Sequence, residues 1–578
     1  MSNSSPAPET PGRPHVPSWA FALGLFFLLS LLLLLPFYFL GTASGHDFEF
    51  HAASWLDVAS QWQQGILYPR WTAWTNHGFG EPRFIFYPPL SWMLGASLTL
   101  AFPGPWVPAL FILLTQTFAG LAAFFLLRRL TSTHAAILGA GCYVVNPYAL
   151  LITYNRSDFA EQLACALLPL LLLAALKLAD LLENVPAHRS SIALFAFSFA
   201  GVWLSNAPAG VITSYAMALL FSWAAISQRS WRILFRGASG LALGLGFAGF
   251  YLVPAAYEQR WVNIGQALSS GLQPSQNFLY TYINDPEHTW FNWIASTCAL
   301  LIALLFLLAA LTSRRFSLSG KTGDRSRKTA NALLVVGAAA LLLMARLSMP
   351  FWDYLPKLRF VQFPWRWMSI LALLCIFFLA CVMERRRGWL AFVLVLVLSL
   401  PLALFFINTT WWDADEMPTM ADAIASGRGF DGTDEYDPIG DDHLNLPLNA
   451  PLVTQLPDTL NGAKLPEARV QIQKWTAERK QIRVDATTKT RLALRVLNYP
   501  AWRVELNGRR VLPDRLDDVN QMVISIGAGS SDIRVQFVRT LDRTVGLLLT
   551  LSAALIVSVL LLSAGPRPAD ELPLAPVD

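Results

Sequence analysis

Long uninterrupted apolar runs alternate with short polar connections along most of this chain. Runs near residues 19–40, 106–127, 134–153, 161–180, 191–205, 207–227, 237–257, 291–312, 331–347, 367–383, 388–407 and 545–563 approach the roughly 20 residues a helix needs to cross a hydrocarbon core about 30 Å thick. The pattern predicts a polytopic α-helical membrane protein with about 12 crossings. The first run is too long, and lacks a small-residue cleavage site after it, to read as a removable signal, so it is expected to be a retained helix. The stretch 89–102 is also apolar, but a segment of about 14 residues between prolines suits an interfacial helix better than a crossing. A thirteenth crossing there would reverse the sidedness of Arg128 and Arg129.

Basic residues fix an expected orientation. Arg128 and Arg129, Arg189, Arg229 with Arg232 and Arg236, Arg314 through Lys328, and Arg385 to Arg387 each follow an apolar run. The positive-inside rule assigns these connections to the cytoplasm. Both termini are then inside, every other connection faces outward, and the outer segment 41–105 is expected to carry two or three membrane-surface helices. The expected location is a cell inner (plasma) membrane, crossed many times.

After Asn408 the pattern changes. Residues 413–442 are acidic and glycine-rich and read as loop. Beyond them Val470–Gln473, Ile482–Val484, Arg491–Leu497, Trp502–Leu506, Met522–Ile526 and Ile533–Phe537 show period-two patterning or short β-rich runs, the mark of strands with one buried face. Asn507-Gly508 is a strong hairpin turn. The chain therefore divides into a tail 1–17, a multi-span domain 18–407, an extracytoplasmic domain 408–543 holding a small antiparallel β-sandwich, a last span 545–563 and a tail 564–578. Both tails are rich in Pro, Ser and Ala and are expected to be disordered and cytoplasmic.

Composition supports this reading. The chain is 54% hydrophobic and 14% charged, with mean hydropathy +0.44 and a formal net charge of +5. The basic residues are spread over short loops, so no nucleic acid partner is expected. All five cysteines lie in apolar stretches without CxxC spacing and read as small buried hydrophobes. Walker, Rossmann, HExxH, GxSxG and zinc signatures are missing from any convincing context.

Candidate chemistry gathers in the outward connections. His46-Asp47-Phe48-Glu49-Phe50-His51 follows the first run directly. On an extended segment Asp47, Glu49 and His51 would share a face, which suits a general base or a divalent cation, Mg or Mn. Tyr154 to Glu161 opens a helix, and Ser157 or Asp158 is placed to cap it. Arg156, Asp158 and Glu161 are candidates to line a site. Arg70 in Tyr-Pro-Arg-Trp and Arg366 in Phe-Pro-Trp-Arg-Trp sit in aromatic surroundings, where a guanidinium fork suits a phosphate. For each arginine the alternative is an aromatic belt with a snorkelling side chain. Ser205 to Pro208 is a tight turn, and Gly432 to Pro438 is either a solvated linker or a strap folding over the site.

The acidic residue Asp47 after the first helix, the amphipathic stretch Gly65 to Trp71 and the Tyr87-Pro88-Pro89-Leu90 segment resemble the GT-C superfamily of membrane glycosyltransferases. The chain is more closely similar to bacterial membrane proteins grouped as YfhO-like or as 6-pyruvoyl-tetrahydropterin-synthase-related. That resemblance runs over most of its length, including Phe363 to Arg366, Gly432 to Pro438 and Tyr499 to Val504. The pterin label implies a soluble zinc enzyme, yet the eight histidines suggest no three-histidine site. The resemblance implies transfer of a sugar from a polyprenyl-phosphate carrier to a glycan, lipid or protein acceptor on the outer face, among membrane lipids and with inversion. In that scheme Asp47 is the base, Glu49 a helper, and Arg70, Arg156 or Arg366 the phosphate ligand. Two competing expectations are a lipid-linked glycan flippase and a non-catalytic envelope-assembly protein. No cofactor is fixed by the sequence.

Overall fold

The protein is described here from a computed structural model covering residues 17–182, 189–317, 324–385, 387–440, 445–456, 468–516 and 518–562. The tails expected at 1–17 and 564–578 lie outside these residues, Pro17 excepted, as does Arg386. Among the described residues ten helices are long and apolar enough to cross a membrane, or eleven if Trp231–Phe247 and Gly249–Trp261, bent by 74°, count as one span. The expectation was twelve. The difference is Arg189–Ser205, whose 17 residues fall just short.

Proline and threonine shape the bundle locally. The first span breaks between Ser18–Leu33 and Leu35–Leu40, where Pro36 cannot supply a helical N–H. At the 74° bend, the Phe250 N–H donates to Thr550 Oγ1 at 2.9 Å and the same hydroxyl donates to the Gly246 carbonyl at 3.1 Å. The last helix, Leu541–Leu562, thereby satisfies the backbone groups the bend frees.

The basic connections gather at one end of the bundle. Arg236 pairs with Asp180 at 2.7 Å, and Arg325 Nη1 donates to the Leu182 carbonyl at 3.1 Å. At the other end the segment 41–105 forms a helix Phe48–Gln63 and a helix Pro89–Ala101. The 13 residues of the latter rise about 20 Å, short of a hydrocarbon core. Trp55 stacks on Phe111 of the span Val107–Leu127 at 5.4 Å and 11°, fixing this platform to the bundle.

The C-terminal region is a β-sandwich of two antiparallel sheets. One orders Ala468–Trp475, Arg479–Ala486, Gly529–Phe537, Trp502–Leu506 and Arg509–Val511; the other orders Val453–Leu456, Thr490–Leu497, Gln521–Ile526 and Asp514–Arg515. Ile482, Val484, Ile533 and Val535 of the first face Leu492, Leu494, Met522 and Ile524 of the second in one buried core. The predicted hairpin is present: Leu506 pairs with Arg509 across Asn507 and Gly508, both left-handed at φ 50° and 76°. The segment 413–442, expected as loop, instead holds a helix Glu416–Ala425.

A buried ion pair locks the sandwich to the bundle. Arg543 Nε and Nη2 donate to the two oxygens of Glu258 at 2.7 and 2.8 Å, and Tyr499 of the sandwich donates to the same carboxylate at 2.7 Å. Removing one partner strands the other in a dry junction. Arg543→Ala is expected to destabilise the protein by about 3–5 kcal/mol, read as a lower thermal midpoint in detergent; an unchanged midpoint would contradict this role for the pair.

Candidate anion-binding and catalytic site

The site begins with a backbone crossing. The span Thr133–Arg156 ends in a π-helical turn, Leu151–Arg156, followed by Ser157 in the left-handed region at φ 51°. Against it runs the segment after the first span: Gly45 N–H donates to Ser157 Oγ at 3.0 Å, Asp47 N–H donates to the Arg156 carbonyl at 2.9 Å, and Ser157 Oγ donates to the Ala43 carbonyl at 2.8 Å. A Cβ on Gly45 would sit 2.5 Å from the Asn155 oxygen. Only glycine permits this approach, and the approach brings the Asp47 and Arg156 side chains into an ion pair.

Asp158 sits behind that pair. It caps Phe159–Leu178 by accepting from the Glu161 N–H at 2.9 Å, and so supplies the predicted cap. Its other oxygen lies 3.7 Å from Arg156 and 3.5 Å from Arg366, while His51 Nε2 is 3.7 Å from the capping oxygen. Burial alone would raise this carboxyl, but His51, Arg366 and Arg156 outweigh it and hold Asp158 well below the usual carboxylate range. Arg366 also reaches Glu161 at 3.3 Å, and Glu161 accepts from the Tyr148 hydroxyl. Both guanidinia are thereby oriented before any ligand arrives. Arg156 Nε is buried without a hydrogen-bond partner.

These groups border a cavity of about 660 Å³ whose lining includes Asp47, Arg156, Asp158 and Arg366. Asn206, Gln259, His288 and Lys357 add polar positions from four further connections. His288 and Lys357 carried no sequence motif; the only hint was the polar run Asp285 to His288 opening a span. Residues 433, 435 and 436 also reach the cavity, so Gly432 to Pro438 folds over the site as a strap.

Four candidates stand outside the cavity lining. Glu49 is exposed on the first turn of Phe48–Gln63, because the segment is helical rather than extended. Two residues along a helix turn a side chain by about 200°, so Glu49 faces Glu416 while Asp47 and His51, four apart, share a side. His51 is buried behind the site rather than in the cavity lining. The Arg70 guanidinium lies over Tyr68 at 4.0 Å, and the Arg70 backbone N–H donates to Glu478 of the sandwich at 3.0 Å. It belongs to the junction with the β-sandwich, away from Arg156 and Arg366. Glu161 is likewise buried behind Arg366, outside the lining.

Among the described residues no group of three or more His, Cys, Asp or Glu side chains is arranged to hold a metal ion. Asp47 and Asp158 are committed to arginines and Glu49 points away, so these side chains do not fit the divalent cation that was the alternative to a general base.

A polytopic bundle with two paired arginines at its span ends, a half-buried carboxylate beside them and a C-terminal β-sandwich defines the class: a multi-span membrane protein with a charged cavity wall. The chain belongs to the family described as 6-pyruvoyl-tetrahydropterin synthase related domain, membrane protein, whose model matches residues 84–411. No curated protein sequence matches. Among solved structures, the archaeal oligosaccharyltransferase AglB from Archaeoglobus fulgidus, in complex with an inhibitory peptide and a dolichol-phosphate, is similar at 14% identity and TM-score 0.42, over 72% of this chain and 56% of that one. The arabinofuranosyltransferase AftD from Mycobacteria is similar at 18% identity and TM-score 0.39, over 69% of this chain and 27% of that one. The chain thus spans about half the length of the first and about a quarter of the second.

Glu435 makes the strap sensitive to pH. Burial pushes its carboxyl up to about 7 from an ordinary 4.5, with Glu81 adding to the rise and Arg83 opposing it. The folded state then binds more protons than the unfolded one across that window, so this group's contribution to stability falls as pH rises from about 4.5 through about 7. Glu435→Gln is expected to flatten the decline in thermal midpoint between about pH 5 and about pH 8; an unchanged slope would contradict the assignment.

Proposed function

We propose that this protein is an inverting membrane glycosyltransferase of the GT-C type, moving a sugar from a polyprenyl-phosphate carrier to an acceptor hydroxyl on the extracytoplasmic face. The observation that carries the reading is the Asp47–Arg156 pair on the cavity wall, with Arg366 held beside it by Asp158. A base and two phosphate ligands are what such a transfer requires at one point in space. The orientation is supported by the basic connections, which collect at the far end of the bundle.

Arg156 is tied to Asp47 before substrate binds. A donor phosphate competes for the guanidinium, using the unpartnered Nε, and releases the Asp47 carboxylate. The acceptor oxygen then attacks the anomeric carbon as Asp47 takes its proton. The bond from that carbon to the phosphate oxygen breaks, and the phosphate leaves with the electron pair. Arg156 and Arg366 offset its charge in a site where burial strengthens each contact. Attack opposite the leaving group inverts the anomeric centre. Glu49 and Arg70 take no part in this scheme.

Transfer by the purified protein in vesicles containing polyprenyl-phosphate sugars tests the reading. Asp47→Asn is expected to lower turnover by about 10²- to 10⁴-fold while leaving donor binding in place. Unchanged transfer by a folded Asp47→Asn protein would remove Asp47 as the base. Movement of the lipid across the bilayer without transfer would replace the enzyme with a flippase.

A further inference from the structure

The strap is more firmly held than a linker requires. Glu81 and Arg83 form an ion pair at 2.6 Å with side chains 0% and 3% exposed. This pair grips Thr433 from both sides: Arg83 Nη2 donates to its hydroxyl at 2.9 Å, and Glu81 Oε2 accepts its N–H at 2.9 Å. Asn76, left-handed at φ 50°, donates to Asp437 at 2.7 Å, and the Asn263 N–H donates to the Asp437 carbonyl at 2.9 Å. At Gly432 a Cβ would fall 1.9 Å from the Asn76 carboxamide oxygen. A buried ion pair costs several kcal/mol of desolvation per ion. Here it fixes two side chains, Glu435 and Tyr436, in the cavity lining.

Those side chains complete an aromatic wall. Phe86 stacks on Tyr436 at 5.9 Å and 5°, and both rings line the cavity. Tyr87 lies 4.6 Å from Phe50, and both line the cavity next to Asp47. Arg83, whose guanidinium lies 4.3 Å from the Phe50 ring, is buried and spent on Glu81 and Thr433. A phosphate-bearing ligand has no free partner in Arg83 and meets the Glu435 carboxyl instead. Ring faces beside a carboxyl match a ligand with C–H faces and hydroxyls.

We propose that the wall formed by Phe50, Tyr87, Glu435 and Tyr436 is the acceptor subsite, and that the acceptor it takes is a neutral sugar stacked on Tyr436 with a hydroxyl bonded to Glu435. This rests on the glycosyltransferase reading and narrows it: the acceptor is a glycan rather than a peptide or a polyol phosphate. It also assigns the strap, which precedes the β-sandwich, to acceptor recognition.

Saturation-transfer NMR on the full-length protein in lipid nanodiscs tests the proposal with short neutral oligosaccharides, a glycerol phosphate oligomer and an uncharged peptide as probes. The expected result is strong transfer to saccharide ring protons, weakened about tenfold or more in affinity by Tyr436→Ala and retained by Tyr436→Phe. Tyr436→Leu fills the same space without a ring face and gives the same loss should the alanine variant fail to fold. No response from any saccharide, a stronger response from the peptide or the polyol phosphate, or full binding by Tyr436→Ala and Tyr436→Leu would overturn the subsite. Saccharide binding that depends on Tyr436 in a protein that never transfers sugar would uphold the subsite and sink the glycosyltransferase reading. Transfer whose acceptor KM ignores Tyr436→Ala would do the reverse.

Discussion

One buried carboxylate organises this structure. Asp158 caps a span, accepts charge from Arg156 and Arg366, and lies against His51 from the outer-segment helix. An unpaired charge in that position would be costly, and so would either guanidinium without it. The segment after the first span, the end of the third apolar run and the start of Pro364–Met383 are therefore held together by one group. The cavity wall is an outcome of that arrangement rather than a separate construction.

Around this centre the chain closes the cavity with pieces far apart in sequence. Thr42–Ala43 pairs with Trp412–Asp413, joining the start of the outer segment to the start of the region leading into the sandwich. The strap returns across the same opening, while Glu258 and Arg543 fasten the sandwich to the bundle beside it. Each fastening uses a buried polar pair where an apolar contact would have held without direction. On the proposed reading, that directionality sets where donor phosphate and acceptor hydroxyl meet.

The sequence was legible where one physical pattern dominated. Apolar length located the long spans to within about seven residues at either end, and period-two alternation with Asn507-Gly508 located the sandwich strands, because solvent contrast writes both patterns directly. Asp47, Arg156, Asp158 and Arg366 were legible as polar residues at helix ends. Features that depend on local conformation or tertiary contacts were not legible. An extended segment would put Glu49 beside Asp47, and the helix Phe48–Gln63 separates them. Arg70 had the same aromatic flanks as Arg366, yet its neighbours come from the sandwich, some 400 positions away in sequence by the separation of Arg70 and Glu478. Glu81, Arg83, His288 and Lys357 lacked any motif, since their roles depend on partners that only the fold supplies. The 17-residue helix Arg189–Ser205 marks the limit of counting by apolar length.

The central claim is that Arg156 and Arg366, held by Asp158, form the seat of a lipid-linked phosphate facing Asp47. Electron cryomicroscopy of the protein in nanodiscs loaded with polyprenyl phosphate tests it most directly. The account predicts phosphate density within hydrogen-bond distance of Arg156 and Arg366, with Asp47 detached from Arg156. Phosphate density at another site, such as the basic connection around Arg232 and Arg236, with the Asp47–Arg156 pair intact, would contradict it.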